Sequence, residues 1–373
     1  MERASRWVVY LLEQKVVLVA AAAAALLLAT GRVAARSIPA AVDWELLLLL
    51  FALILAVELL RESNLLERAA AGWMSRFRSS RSFTFASVAF AGVLASLVTN
   101  DVALFVVIPF TVAAARASRF HAGRAVMLQI LAVNLIGCLT PLGNPQNLFI
   151  AHRAGMNAAT FIATMAPFVA WSALGIAIAV PLLERSTAVA PVRTELPLRA
   201  APMLIGGGVF VLVLLDLFGV LPAWPAAAAA AAGTFLLLRE RLGEIDVFII
   251  PLFFFAFIVV EGLRSFDVYG LFAMLPREPD GLSLWVTALL CSQIISNVPA
   301  TILLEPLAGE RWRLLLYAVN AGGCGTMIAS MANLIGWRLY AREHGRDPEF
   351  FNTFSVVQLA FLAWTGVGGW FLV

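Results

Sequence analysis

Thr140-Pro141-Leu142-Gly143-Asn144-Pro145-Gln146-Asn147 lies inside an apolar run, residues 125–150, and no regular helix passes through it. Its two prolines remove backbone donors and Gly143 loosens the turn, so the chain has to unwind there. A second break, Asn320-Ala321-Gly322-Gly323-Cys324-Gly325-Thr326, interrupts the apolar run 314–337. Backbone groups freed inside a bilayer persist only where protein buries them or where they line a watery cavity. Paired breaks in corresponding positions of two halves point to the binding site of a secondary transporter.

The surrounding composition places both breaks in a membrane. The chain has 373 residues, 62% hydrophobic and 13% charged. Soluble domains carry about 45–50% apolar and about 25% charged residues, so a soluble enzyme and a disordered protein are both excluded. Many apolar runs approach the ~20 residues of a spanning helix and lack the short alternating strands of a barrel. A net charge of +3 is too small to indicate nucleic acid. Cys138, Cys291 and Cys324 fall in apolar runs, and His121, His152 and His344 fall in separate loops without metal-ligand spacing. No disulfide, metal site or cofactor is expected.

The apolar runs cover residues 8–30, 44–60, 83–115, 125–150, 160–183, 201–221, 222–238, 246–263, 282–307, 314–337 and 353–373. The first is read as a retained helix, since Glu13, Gln14 and Lys15 interrupt its start. Run 83–115 is interrupted by Thr99-Asn100-Asp101, and both its flanks are arginine-rich. Each half reaches only about 21–24 Å at 1.5 Å per residue, short of the ~30 Å hydrocarbon core. The spacing predicts a re-entrant hairpin, and 282–307, broken at Ser296-Asn297-Val298-Pro299, has the same form. The expected fold is all-α integral membrane, with about nine transmembrane helices and two re-entrant hairpins. With the N-terminus inside, 18 arginines fall inside and 7 outside, so the positive-inside rule places the N-terminus in the cytoplasm. The hairpins then enter from opposite faces.

An internal repeat accompanies that topology. Asp43, Phe51, Val57, Glu58, Leu60 and Arg61 recur 203 positions later as Asp246, Phe254, Val260, Glu261, Leu263 and Arg264. Asn100 recurs 197 later as Asn297. Asn134, Gly137, Cys138, Thr140 and Asn147 recur 186 later as Asn320, Gly323, Cys324, Thr326 and Asn333. The expected organisation is an N-terminal helix and loop (1–42), a first inverted repeat (43–183), a connecting loop with two helices (184–245) and a second inverted repeat (246–373).

Asp101 is the one carboxylate expected at hairpin-tip depth, where an acid is costly. It reads as a proton carrier or cation ligand, or as the cap of the second half-helix. Thr99, Asn100, Ser296 and Asn297 offer neutral donors and acceptors beside helix ends, which suit an anion at N-termini or a cation at carbonyls. Thr140, Asn144, Gln146, Asn147, Thr326, Ser330 and Asn333 complete the candidate substrate and ion site or satisfy the broken backbone. Glu58–Arg61 and Glu261–Arg264 read as interfacial ion pairs, and Cys138 and Cys324 as small packing residues.

Thr99-Asn100-Asp101-Val102-Ala103, Leu142-Gly143-Asn144-Pro145-Gln146-Asn147 and Ser296-Asn297-Val298-Pro299-Ala300 resemble the ion transporter superfamily. That group includes divalent-anion/sodium symporters, citrate transporters, arsenite permeases and one class of sodium/proton antiporters. The resemblance covers residue 43 to the C-terminus. It implies an inner-membrane homodimer with scaffold and transport domains and an elevator mechanism. It also places Asn100, Asn144 and Asn147 in one half-site, and Asn297 and Thr326 in the other. The dicarboxylate carriers show Ser-Asn-Thr at both tips, whereas Asn100-Asp101 looks like the arsenite permeases and the Gly-Asn-Pro-Gln-Asn break like uncharacterised anion permeases. The resulting expectation is a secondary carrier of a small anion, an arsenite-like oxyanion or an organic or inorganic anion, with Asp101 binding the coupling proton. A sodium/proton antiporter of the same fold is the alternative. An intramembrane enzyme is disfavoured, because no Ser–His dyad or facing pair of aspartates is evident. The expected partners are the anion, H+ or Na+, and membrane lipid.

Overall fold

A computed structural model describes residues 17–118, 120–189, 196–264, 280–345 and 347–373, with only the backbone of 263 and 264. Among the described residues every regular element is helical. The principal helices are α1 (Val17–Ala29), α2 (Trp44–Glu62), α3 (Leu65–Met74), α4 (Ser80–Leu97), α5 (Asn100–Ser118), α6 (Ala122–Leu135), α7 (Pro145–Arg153) and α8 (Ala158–Leu183). They continue as α9 (Ala200–Leu217), α10 (Ala223–Leu238), α11 (Ile249–Arg264), α12 (Gly281–Ile295), α13 (Asn297–Ala308), α14 (Trp312–Ala321), α15 (Met331–His344) and α16 (Pro348–Leu372).

Polar residues at the apolar boundaries start these helices. The Asp43 carboxylate accepts from the Leu46 amide at 3.1 Å and the Asp280 carboxylate from the Ser283 amide at 2.7 Å. Ser79 and Ser82 form a reciprocal capping box at the start of α4. This box corrects the lengths expected for the two halves of 83–115. Capping moves the start of α4 back to Ser80, and α5 runs on through Arg116 to Ser118. The halves therefore hold 18 and 19 residues, each long and apolar enough to cross a membrane. Helices α12 and α13, with 15 and 12 residues, match the short form expected for 282–307. A further helix, α3, was not expected, because its residues form an amphipathic segment rather than an apolar run.

Among the described residues six helices meet the length and apolarity of a span, or up to eight if each of two bent pairs counts as one. The bends are 62° between Ala35–Ala41 and Trp44–Glu62, and 76° between Ala223–Glu244 and Ile249–Gly262. The expectation of about nine also counts run 8–30, part of which lies outside the described residues. The chain is a multi-pass membrane protein.

The helices pack as two groups. Helices α9 and α10 pack on α2 and on each other, while α4–α8 and α12–α16 form the second group. Helices α7 and α13 join the groups through contacts with α2 and α11. Within the larger group the contacts come in matching sets: α4 and α5 on α6 match α12 and α13 on α14, and α15 against α5 matches α7 against α13. Helices α8 and α16 meet through Trp171 and Trp364, which stack at 4.3 Å. Each indole N–H donates to the other's carbonyl, at 3.0 and 3.1 Å. An added Cβ on Gly175 would meet Trp364, and one on Gly368 would meet Trp171. Both pairs are separated by 193 residues, a matching block absent from the reading of the sequence.

Candidate functional site

Both breaks unwind where the sequence expects. Between α6 and α7 the chain makes two 3-10 turns, Gly137–Leu139 and Pro141–Gly143, and Asn144 precedes α7 in an extended conformation. Between α14 and α15 the chain turns through 322–330, and Ser330 stands where Asn144 does, 186 positions on. Their backbones agree closely, with φ −143°, ψ 141° at Asn144 and φ −143°, ψ 144° at Ser330.

Two asparagine-centred hydrogen-bonded clusters and a backbone bond hold the breaks and the hairpin tips together. The Asn333 amide donates to the carbonyls of Gly323 (3.1 Å) and Thr326 (3.0 Å). Asn134 Nδ2 donates to Asn333 Oδ1 at 2.8 Å, and Asn134 Oδ1 accepts from Ser330 Oγ at 2.9 Å and Asn100 Nδ2 at 3.2 Å. Asn100 Nδ2 also reaches Asn144 Oδ1 at 2.5 Å. The mate of the Asn134–Asn333 bond is Asn320 Nδ2 to Asn147 Oδ1 at 2.7 Å, with Asn147 Nδ2 donating to the Cys138 carbonyl at 3.4 Å. At the second tip the Asn297 backbone N–H donates to the Ala329 carbonyl at 2.9 Å, beside Ser330. The N-termini of α5, α7 and α15 are thereby linked through side chains, and that of α13 is held beside them by backbone.

The supports of the unwound backbone also match. Ser96 donates to the Ile136 carbonyl at 2.9 Å, and Thr140 donates to the Ser96 carbonyl. Gln293, 197 positions after Ser96, donates to the Gly322 and Cys324 carbonyls at 2.8 and 3.0 Å, and Thr326 Oγ1 donates to the Gln293 carbonyl at 3.0 Å. Glycine is required where these segments touch. A Cβ on Gly137 would stand 2.7 Å from Asn100 Oδ1, and one on Gly323 would stand 3.1 Å from Asn297 Nδ2.

Asn100, Asn144, Asn147 and Asn333 of the expected site thus come together, with Asn297 close by. Thr140 and Thr326 spend their hydroxyls on broken backbone. Gln146 is buried with its Nε2 unpartnered. Thr99 is half-buried, and Ser296 adopts φ +72°, a region that favours glycine and clusters at ligand clamps. Asp101 is half-buried in the first turn of α5 rather than at its cap, and makes no hydrogen bond among the described residues. Asn134 and Asn320 were noted as repeated positions but not as site residues, although they are the centre of the network. Ser96 and Gln293 were missed as well; their common 197-residue offset was the available signal.

The halves differ beneath the tips. Gln129 Nε2 donates to Ser87 Oγ (2.9 Å) and Thr111 Oγ1 (2.6 Å), a fully buried cluster. Leu284, Ala308 and Leu315 occupy the matching positions 197 and 186 residues on. Cys138 and Cys324 are buried and free, as small packing residues should be. Glu58 and Arg61 pair at 2.9 Å, while the Arg264 side chain of the matching pair lies outside the described residues. At the end of α7, His152 pairs with Asp43 of the smaller group at 2.8 Å and Arg153 with Glu305 of α13 at 3.0 Å.

The citrate transporter (CitMHS) family profile matches residues 7–311. The chain is 32% identical to the inner membrane protein YbiR of Escherichia coli over 351 residues, 91% of this chain and 90% of that protein. It is also 32% identical to an uncharacterized transporter of Methanocaldococcus jannaschii over 301 residues, 80% of this chain and 81% of the relative. A Dictyostelium discoideum protein named arsB, provisionally described as a transporter, is 22% identical over 127 residues, 34% of this chain and 23% of its own. Proteins of this kind move solutes across membranes and are not enzymes, and the present chain is a membrane transporter belonging to the citrate transporter (CitMHS) family.

Proposed function

We propose that the protein is a secondary active transporter of a small anion, an arsenite-like oxyanion or an organic or inorganic anion, coupled to protons. The observation that carries this reading is the joining of three helix N-termini, those of α5, α7 and α15, through one asparagine network, with the α13 N-terminus held beside it by the Asn297–Ala329 backbone bond. Such termini present free N–H groups and partial positive charge, which favour an anion. Asp101, in the first turn of α5 and outside that network, is the proton-coupling group.

In this reading the two halves are inverted duplicates whose hairpins enter from opposite faces. The matching contacts and matching backbone angles on either side support it. The larger helix group is the transport domain, and α2, α9 and α10 belong to the scaffold past which it slides as an elevator. The protein resides in the inner membrane as a homodimer with its N-terminus in the cytoplasm.

The test is internal pH in proteoliposomes on addition of sodium, arsenite, citrate, succinate and sulfate in turn, for wild type beside Asp101→Asn. A response to one anion, lost in the variant, is the expected result. A response to sodium alone, lost in the variant, replaces the anion reading with a cation/proton antiporter.

A further inference from the structure

Helix α3 packs one face on α4 and α5 and buries Leu66, Ala70, Ala71 and Met74. Its other face is an exposed stripe of Leu65, Arg68, Ala69, Gly72 and Trp73, residues spaced by helical turns. The stripe holds arginine, tryptophan and leucine and no acid, since Glu67 is half-buried. Trp73 is 40% exposed yet fixed in place, because its indole N–H donates to the Ala86 carbonyl of α4 at 3.1 Å. The Arg76 guanidinium stands 6.0 Å from the centre of its ring. Phe85, next to Ala86 on α4, is 38% exposed as well.

The turn after α3 gathers further positive charge from a distant part of the chain. The Ser80 N–H donates to the Thr187 carbonyl and the Val189 N–H to the Arg78 carbonyl, both at 2.8 Å, and Ser80 Oγ donates to the Arg185 carbonyl at 2.6 Å. These bonds lay 185–189 along 78–80, so Arg185 joins the turn that carries Arg76 and Arg78. All three arginines are exposed and make no ion pair among the described residues. Glu184, beside Arg185, is only 4% exposed, so the surface here presents arginine alone.

The arginines call for an anion, and the planar fork of arginine matches phosphate oxygens. Trp73 narrows the choice, because an indole with its N–H satisfied and its ring bare suits the level where acyl chains meet headgroups. A phospholipid supplies both the oxygens and the chain. We propose that α3, the turn after it and Arg185 form a binding site for an anionic phospholipid, its phosphate on Arg76, Arg78 and Arg185 and its acyl chains over Trp73 and Phe85. The site does not depend on what the protein carries; only the leaflet that supplies the lipid follows from the orientation given above.

Titration of the full chain in neutral detergent with phosphatidylglycerol or phosphatidylcholine, with bound lipid counted by native mass spectrometry, tests it. Wild type should prefer phosphatidylglycerol. Each arginine near an anionic lipid surface contributes about fivefold in affinity, so Arg76→Gln combined with Arg78→Gln should weaken phosphatidylglycerol about thirtyfold and leave phosphatidylcholine unchanged. Arg239→Gln, an exposed arginine beside Glu240 in another linker, should change neither. Phosphatidylglycerol brominated on its acyl chains should quench more fluorescence in wild type than in Trp73→Phe. Equal affinity for the two lipids, equal quenching in the two proteins, or a loss in Arg239→Gln as large as in the double variant overturns the site. Displacement of the lipid by excess inorganic phosphate assigns the arginines to a free anion and overturns the lipid.

Discussion

Replacing Gly143 by alanine is the sharpest structural test of the first break. The added methyl would stand 1.9 Å from the Gly137 carbonyl oxygen, 2.8 Å from its carbon and 3.2 Å from the Ala95 carbonyl oxygen. All three are backbone atoms, so no side chain can rotate away. Carbon and oxygen approach no closer than about 3.3 Å even in favourable contacts, so the two 3-10 turns must separate by about 1.4 Å. Overpacking of this kind costs about 3 kcal/mol at the upper end of its usual range. The displacement also pulls Asn144 from Asn100, whose 2.5 Å bond contributes about 1 kcal/mol more. About 4 kcal/mol lowers the folded-to-unfolded ratio roughly a thousandfold. The assay is thermal unfolding of the detergent-solubilised protein, followed by tryptophan fluorescence, beside Gly207→Ala. Gly207 has nothing within 4 Å of the corresponding position, and alanine in that helix should be neutral or stabilise by up to about 1 kcal/mol. A Gly143→Ala protein that unfolds together with wild type and Gly207→Ala would show that the two turns are not in contact and refute the reasoning.

Three other outcomes follow from named contacts. Asn134→Leu strands Asn333 and Ser330 and removes one of the two acceptors of Asn100, whereas Asn320→Leu strands Asn147 alone. At about 1 kcal/mol or more per abandoned buried group, thermal unfolding should place Asn134→Leu well below Asn320→Leu. His152 has its pKa raised above the usual histidine value, first by its hydrogen bond to Asp43 and then by the charges of Asp43, Asp216 and Glu45, against the opposing effect of burial. Its contribution is complete below about pH 6.5 and fades as pH rises through the raised value. The melting-temperature gap between wild type and His152→Gln should therefore be widest near pH 6 and close in alkaline buffer; a gap independent of pH would count against the ion pair. Glu305→Gln removes the charge that holds Arg153 across the two halves. With Arg153 about one-third exposed, the loss should be about 1–2 kcal/mol, read as earlier unfolding that Arg153→Gln does not deepen when combined.

What the sequence by itself determined were the properties written in local chemistry. Prolines at 141 and 145 and glycines at 143, 322, 323 and 325 unwind a chain wherever they stand, so both breaks were legible before any contact was known. Composition placed those breaks in a membrane, and the recurring offsets of 203, 197 and 186 positions gave the expectation of two related halves. Helix ends were less legible, since the reach of α4 depends on a serine capping box lying beyond the apolar run.

The partners within the site were decided by tertiary structure alone. Asn134 and Asn320 sit in or beside ordinary helical turns, with no local feature to set them apart. Each becomes central because packing brings it against an asparagine 199 or 173 residues away. The same holds for Trp171 and Trp364, which meet only when α8 and α16 pack. Backbone conformation is governed by neighbours in the chain, whereas the identity and direction of a buried hydrogen bond depend on which distant groups the fold leaves within about 3 Å.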